Sequence, residues 1–293
     1  MKSKTQKDLE VTKSNALMRA NYRLSIVEQQ MVLYAIAQAR ETQSGITADK
    51  PLSIDARDFA KTFGLHPQSV YKQLTDALDG LFDRFISFHG IDIDSGRGCR
   101  VKTRWISDAT YIDGEGRVMF TFSPMLVQHI SRIEPGFTRY QLGEIAKLTS
   151  GHSIRLYELV QRFRDTGWMK ISKEDLRFSL GLLNDEYPLT NDLKRKVIKV
   201  AVEQINKNTN WQIKVEDVKH KRCVTGFLFK FYPVEPPISP SPDEKPAHPK
   251  FDDDYLAKHA RPGESRLEAI ERLHPIYQRE VLGIDDKQHE LPI

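Results

Sequence analysis

Cysteine is scarce and poorly placed for any bonding role. Cys99 and Cys223 are the two present, far apart and outside any C-x-x-C pair. That spacing supports neither a disulfide framework nor a cysteine zinc site, and it suits a reducing cytosol. No uninterrupted apolar run approaches the roughly 18 residues of a membrane span, and the opening MKSKTQKDLE lacks the apolar centre of a secretory signal. Catalytic signatures are missing too. There is no G-x-x-x-x-G-K-[ST], which argues against a P-loop ATPase, and SGRGCR (95–100) reads as a turn. None of the nine histidines falls in an H-x-H or H-E-x-x-H pair, and no G-x-S-x-G elbow occurs. The run Asp252, Asp253, Asp254 reads as a solvated acidic patch, and His152 as a structural or surface residue. The expectation is a non-enzyme with no cofactor and no metal.

What is present is a charge distribution. The 293 residues are 39% apolar and 29% charged, a globular composition long enough for about two domains. Net charge is a mild +4, but residues 1–138 carry +2, residues 139–232 carry +7 and residues 233–293 carry −5. A localised basic block points to a polyanionic partner.

Hydrophobic spacing gives the elements. Residues 24–40 recur at helical period with Ser25 as N-cap. LSI (52–54) is a short strand, and ARDFAKTF is a short helix stopped by Gly64. Residues 66–84 form a longer helix with Pro67 in its first turn and a stripe of Val70, Leu74, Ala77, Leu78 and Leu81. FISFHG, CRVKTRWIS and RVMFTFS read as strands. The same order then returns: a helix over 145–164, the strand MKI, and the helix SKEDLRFSL with Ser172 and Asp175 at capping-box spacing and Gly181 as its stop. A helix over 190–207 follows, and then a hairpin from WQIKVEDV and CVTGFLFKFYP. The letters agree. IDARDFAKTFGL (54–65) aligns with ISKEDLRFSLGL (171–182), LYAIAQ (33–38) with LYELVQ (156–161), and YRL (22–24) with YQL (140–142). Tyr34 and Tyr157, in matching apolar helices, read as core. The chain is two copies of one unit, and two helices joined by a tight turn and followed by a hairpin describe a winged helix-turn-helix.

The helix at 190–207 carries the chemistry. At about 100° per residue, Leu193, Val197, Ile198, Val200, Ala201, Val202 and Ile205 form one apolar arc. Arg195, Lys196, Lys199, Asp192, Glu203, Asn206 and Lys207 lie opposite. Thr190 or Asn191 is placed to cap the start. Cations at a helix N-terminus oppose the helix dipole, so Lys194, Arg195, Lys196 and Lys199 call for a polyanion. Arg reads guanine by two hydrogen bonds and Lys more often meets phosphate. Asp192 with Lys196, and Glu203 with Lys199 and Lys207, also fit ordinary i,i+4 pairing. The hairpin tip KHKR adds Lys219, Lys221 and Arg222 on a wing. The candidate DNA-binding set is therefore Asn191, Lys194, Arg195, Lys196, Lys199, Lys219, Lys221 and Arg222. In the first copy, helix 66–84 offers Lys72 and Arg84 against Asp76, Asp79 and Asp83. Secondary contacts there fall to Lys72, Lys102, Arg104 and Arg117, and the apolar β region (85–122) offers an edge for self-association.

NALMRANYRLSIVEQQMVLYAIAQ (15–38), FTRYQLGEIAKLTSGHSIRLYELVQRFR (137–164) and LKRKVIKVAVEQINKNTNWQIKVE (193–216) strongly resemble the Rep_3 family of plasmid replication initiators, over about residues 14–232. The resemblance implies an α+β, mainly α, fold of two tandem pseudo-symmetric winged-helix domains. It implies monomers that bind origin direct repeats (iterons) in double-stranded DNA and open the origin. It also implies dimers that bind an operator inverted repeat and repress their own gene, with host chaperones and replication proteins as further partners. The expected division is a disordered arm (1–13), an N-terminal winged-helix domain (14–138), a C-terminal winged-helix domain (139–232) that is the main reader, and a Pro-linked, flexible acidic tail (233–293). The tail is a docking segment for a host protein or a solubilising extension. The expected location is the bacterial cytoplasm, with no membrane partner. An autoregulatory repressor or partition-type DNA binder without origin function would share all of these features.

Overall fold

The computed structural model describes residues 9–41, 46–91, 98–112, 114–131 and 136–234, with 257–261, 269 and 272–273 of the tail. The first copy opens with β1 (Glu10–Ser14), α1 (Asn15–Arg19) and β2 (Asn21–Tyr22), followed by α2 (Ile26–Glu41), β3 (Leu52–Asp55), α3 (Ala56–Phe63) and α4 (Pro67–Asp83). β4 (Phe85–Ile91), β5 (Gly98–Arg104), β6 (Ile106–Ile112), β7 (Arg117–Phe122) and the short α5 (Pro124–Val127) complete it. The second copy runs β8 (Phe137–Gln141), α6 (Leu142–Ile145), α7 (Gly151–Gln161), β9 (Trp168–Ser172) and α8 (Lys173–Ser179). It continues through α9 (Thr190–Asp192), a π-helical segment (Leu193–Ile198), α10 (Lys199–Asn208), β10 (Trp211–His220) and β11 (Cys223–Pro233).

The caps expected at Ser25 and Ser172 form. Ser25 Oγ accepts from the Glu28 N–H at 3.2 Å, and Glu28 Oε2 accepts from the Ser25 N–H at 2.7 Å, a complete capping box for α2. Asp55 accepts from the Arg57 and Asp58 N–H groups at the start of α3. Ser172 accepts from the Asp175 N–H at 3.0 Å. Gly64 (φ 66°) and Gly181 (φ 70°) take the left-handed conformation that ends α3 and the α8 turn. A Cβ on Gly181 would overlap the Tyr22 carbonyl oxygen, so this glycine also admits β2 against the second copy.

Sheet order makes the duplication explicit. β3-β7-β6 and β9-β11-β10 are each three-stranded, with the strand before the helix pair beside the last strand of the hairpin. Both are winged helices. β4 and β5 are an addition of the first copy, paired with β2 in a separate sheet. The segment CRVKTRWIS thus divides at buried Trp105 between two sheets rather than forming one strand. Tyr34 and Tyr157 are both core, each in an edge-to-face pair, with Phe59 and Tyr140 respectively.

Two further expectations are corrected. Residues 10–13 are not part of a disordered arm; residues 1–8 of that expectation lie outside the described residues. β1 pairs antiparallel with β8, from Glu10 opposite Gln141 to Ser14 opposite Phe137. Val11, Thr12 and Lys13 are buried because pairing and an ion pair satisfy their polar atoms. The helix expected over 145–164 is interrupted at 146–150 and ends at Gln161. There the Thr149 N–H is held by Gln204 Oε1 at 3.2 Å instead of a helical carbonyl. The few described residues of the tail take the docked alternative and pack on the second copy. Ala257, Ala260, Ala269 and Leu273 bury Trp168 to 4% exposure, with Leu228 packed alongside. Arg272 donates to the His259 carbonyl at 3.1 Å, linking the tail's two described stretches. The Pro-rich linker and Asp252–Asp254 lie outside the described residues.

Between the copies sits a buried charge cluster. Glu158, 1% exposed on α7, pairs with Lys13 of β1 at 2.8 Å and with Arg155 at 3.1 Å. Tyr140 donates to its Oε1 at 2.6 Å and Tyr22 to its Oε2 at 3.3 Å. These are the tyrosines of the YQL and YRL repeats, converging on one carboxylate. Arg155 also donates to the Met18, Ala20 and Ser179 carbonyls at 2.9, 2.9 and 2.6 Å and lies 3.8 Å from the Tyr22 ring centroid. Burial pushes the Glu158 pKa upward, but Lys13 and Arg155 outweigh it and hold the carboxyl below its ordinary 4.5.

Two outcomes follow. Glu158→Gln leaves two buried cations without their carboxylate, and urea unfolding should show a loss of about 3–5 kcal/mol; a loss under about 1 kcal/mol would contradict the network. The Glu158 folded pKa is depressed, so its stabilisation is fully present above the unfolded value and is lost as pH falls through the lower folded value. Acid titration of wild type should therefore show a stability loss below pH 4.5 that the Gln variant lacks. For the tail, Ala269→Asp should drive the packed segment off Trp168, with a red shift of tryptophan emission and faster acrylamide quenching. Unchanged emission would mean the packing does not hold in solution.

Candidate nucleic-acid interface

The helix at 190–208 is built from its buried side. Leu193, Val197, Ile198, Ala201 and Ile205 are all at or below 2% exposure, and Val202 is half-buried. Val200, expected in the same arc, lies at its fringe and is exposed. The N-cap is Leu189, which has no side chain able to cap, so Thr190 and Asn191 fall in the first turn instead of capping it. From Leu193 to Ile198 the helix is π-helical, with the Lys199 N–H bonded to the Lys194 carbonyl, five residues back. Such widened turns recur at functional sites, and this one spans Lys194, Arg195 and Lys196.

The cations point outward but are not idle. Arg195 is 72% exposed and meets Asp192 at 3.2 Å; Lys196 reaches the same carboxylate at 3.4 Å. Lys199, 68% exposed, sits 3.8 Å from Glu203. Lys194 crosses to Asp217 of β10 at 2.8 Å. The exposed Lys199–Glu203 pair stabilises by about 0–1 kcal/mol, while Asp192 and Asp217 are themselves half-buried. Asn191 is exposed at the helix start. On the wing, Lys219, Lys221 and Arg222 are all exposed, and Lys221 makes the tight turn at φ 54°.

Helix and wing are held as one body. Asn206 brackets Ile213, donating to its carbonyl at 3.0 Å and accepting its N–H at 2.7 Å, while Gln212 donates to the Asn206 carbonyl at 3.0 Å. The loop entering the helix is pinned by Arg177 of α8, whose guanidinium donates to the Leu183, Glu186 and Tyr187 carbonyls at 2.7, 2.7 and 2.9 Å. Tyr187 takes φ 48°, an uncommon backbone for a non-glycine residue that these bonds stabilise. Sequence reasoning missed Arg177 and Asp217, because both contacts cross between elements. The one available signal was an Arg three residues from the end of a short helix-turn.

The first copy presents a different surface. Lys72 is exposed on α4, while Arg84 is tied to Glu28 at 3.3 Å. Lys102 lies 4.2 Å from the Phe85 ring centroid, and Arg104 lies 4.8 Å from Phe85 and 5.5 Å from Phe82. Both rings are exposed large apolar groups, at 43% and 39%. Arg117, half-buried at the start of β7, pairs with Glu115. Lys102 and Arg104 thus share one aromatic platform, whereas Lys72 and Arg117 stand on other elements. Among the described residues, no group of three or more His, Cys, Asp or Glu is placed to hold a metal ion, and no helix is long and apolar enough to cross a membrane.

Comparison with known proteins agrees with this architecture. The crystal structure of the Pi initiator protein in complex with iteron DNA superposes with a TM-score of 0.65 at 21% identity, covering 77% of this chain and 97% of that one. An uncharacterized 27.6 kDa protein of Escherichia coli is 24% identical over 211 residues, 69% of this chain and 87% of its own length. A probable replication protein rep of Bifidobacterium longum (strain NCC 2705) is 29% identical over 118 residues, 40% of this chain and 38% of its own. The family model for the initiator replication protein WH1 domain matches residues 10–161, and the initiator Rep protein WH2 model matches residues 172–231. With the first model alone spanning more than half of the chain and the two together covering both winged helices in order, the chain belongs to the initiator replication protein family.

Proposed function

We propose that this chain is a sequence-specific, non-enzymatic plasmid replication initiator. Its second winged helix reads double-stranded origin repeats. One observation carries the reading: the only described helix with four cations in its first turns, Lys194, Arg195, Lys196 and Lys199, buries its other side and is held through Asn206 and Gln212 to the strand that leads to a basic wing tip. In this geometry the N-terminal part of the helix enters the major groove. Arg195, the most exposed of the cations, faces base edges. Asn191 and Lys199 flank it, Lys194 and Lys196 meet phosphates, and Lys219, Lys221 and Arg222 lie along the neighbouring backbone. The Pi initiator protein was crystallised with iteron DNA, which supports direct repeats as the target here.

Residues 139–232 act as the main reader in this proposal, and residues 14–138 as the self-association unit. Lys72, Lys102, Arg104 and Arg117 supply secondary backbone contacts. A dimer that represses its own gene, contacts with host chaperones and replication proteins, and a cytoplasmic location belong to the same proposal on family grounds. The second reading, a repressor without origin function, would be favoured by a lone inverted repeat beside the gene.

Titration against native origin repeats decides the main point: affinity no better than for random duplex would overturn it. Arg195→Ala should cost about 1–3 kcal/mol on the cognate site and leave random duplex unaffected. An equal loss on both would make Arg195 a phosphate contact. With about 6 phosphates engaged, affinity should fall roughly a thousandfold between 50 and 200 mM salt; a flat salt response would remove the electrostatic basis of the assignment.

A further inference from the structure

A cavity of about 580 Å³ opens beside β9, between that strand, α1 and α8, well separated in sequence from the cations of the reading helix. β9 is an edge: the strand order β10-β11-β9 leaves its second side without a described strand. The register shows which backbone groups face the cavity. The Phe231 N–H donates to the Gly167 carbonyl at 2.8 Å, and the same antiparallel register sets Met169 opposite Phe229 and Ile171 opposite Phe227. Bonded and non-bonded pairs alternate in an antiparallel ladder. Gly167, Met169 and Ile171 therefore bond β11, and Lys170 turns its N–H and carbonyl to the free edge.

Cations border that edge. Arg19 comes from α1, Arg162 from the turn after α7 and Lys170 from β9 itself; Asp175, the one carboxylate lining the cavity, is engaged by the Ser172 hydroxyl at 2.8 Å. Arg162 Nε is buried without a hydrogen-bond partner, and its guanidinium lies 4.9 Å from the Phe163 ring centroid. Burial, and then the Arg19 charge, push Arg162 down to about 10. Ala16 and Ala20 form a low wall opposite the strand, and Phe163 and Phe178 supply apolar surface. The described tail residues pack on Trp168, at the start of the same strand, and on Leu228 beside it, and none of them lines the cavity.

We propose that this groove binds an extended acidic segment of a partner protein, added to β9 as a fourth strand with its carboxylates against Arg19, Arg162 and Lys170. An edge strand recognises such a segment through main-chain hydrogen bonds, and the flanking side chains select its sequence. The proposal is independent of the DNA-reading assignment and uses none of its residues.

The probe is a fluorescent ten-residue peptide alternating Glu and Val, titrated into the full chain at low salt and read by anisotropy. Saturable binding is expected, at least tenfold weaker when Gln replaces Glu in the peptide and at least tenfold weaker for Arg19→Gln or Arg162→Gln. Arg19 is exposed, so its variant retains the fold if Arg162→Gln does not. Lys170→Pro removes the outward N–H and leaves the β11 bonds, so it should lose at least tenfold more than Lys170→Gln. Equal affinities for those two variants would overturn strand addition. Displacement of the peptide by a thymine oligonucleotide would reassign the groove to nucleic acid and sink the proposal. A tenfold gain on changing Asp252, Asp253 and Asp254 together to Asn would make the chain's own tail the resident and exclude a partner.

Discussion

Everything in this molecule is arranged around one carboxylate that should not be where it is. Glu158 lies in the interior, where an unpaired charge is prohibitive. It is tolerable because a lysine, an arginine and two tyrosines from four separate elements converge on it. Those partners must be brought in together. The N-terminal strand is therefore drawn against β8, α1 is held by its carbonyls to Arg155, and the Ser179 carbonyl at the end of α8 is fixed to the same guanidinium. The two winged helices share a polar hub that neither completes alone, and the close approach of Tyr22 at Gly181 is part of the same seam.

From the hub, position is passed outward in short steps. α8 is anchored at its end by Ser179, and its Arg177 gathers three carbonyls of the loop that launches the helix at 190–208. Asn206 and Gln212 then join that helix to β10. The proposed DNA contact would need this rigidity, since backbone contacts set register and base contacts discriminate only once register is set. Asp192, Asp217 and Glu203 pair with the four cations in this structure.

Much of this was legible in the sequence. The caps at Ser25 and Ser172, the stops at Gly64 and Gly181, the order of helices and strands and the duplication itself rest on local rules, and the structure keeps them. The basic face of helix 190–208 was legible for the same reason: its apolar arc has a helical period. What local rules missed depends on distant partners. EVTKS carries no periodic signal, and it becomes a strand because β8 and Glu158 await it. The break at 146–150 depends on Gln204, and the docking of Ala257, Ala260, Ala269 and Leu273 depends on Trp168, far earlier in the chain. The π-helical segment has no compositional mark at all.

The hub also bears on the duplication. In the aligned repeats LYAIAQ and LYELVQ, the position of Glu158 is occupied in the first copy by Ala35, while the tyrosines of YRL and YQL are kept in both. Two matching donors thus serve a single acceptor, and the pseudo-symmetry ends at the place where the halves meet. A chain of two identical halves would bury either two acceptors or none. Each half has accordingly become the other's complement: the second supplies the charge, and the first supplies Lys13, which the second does not possess.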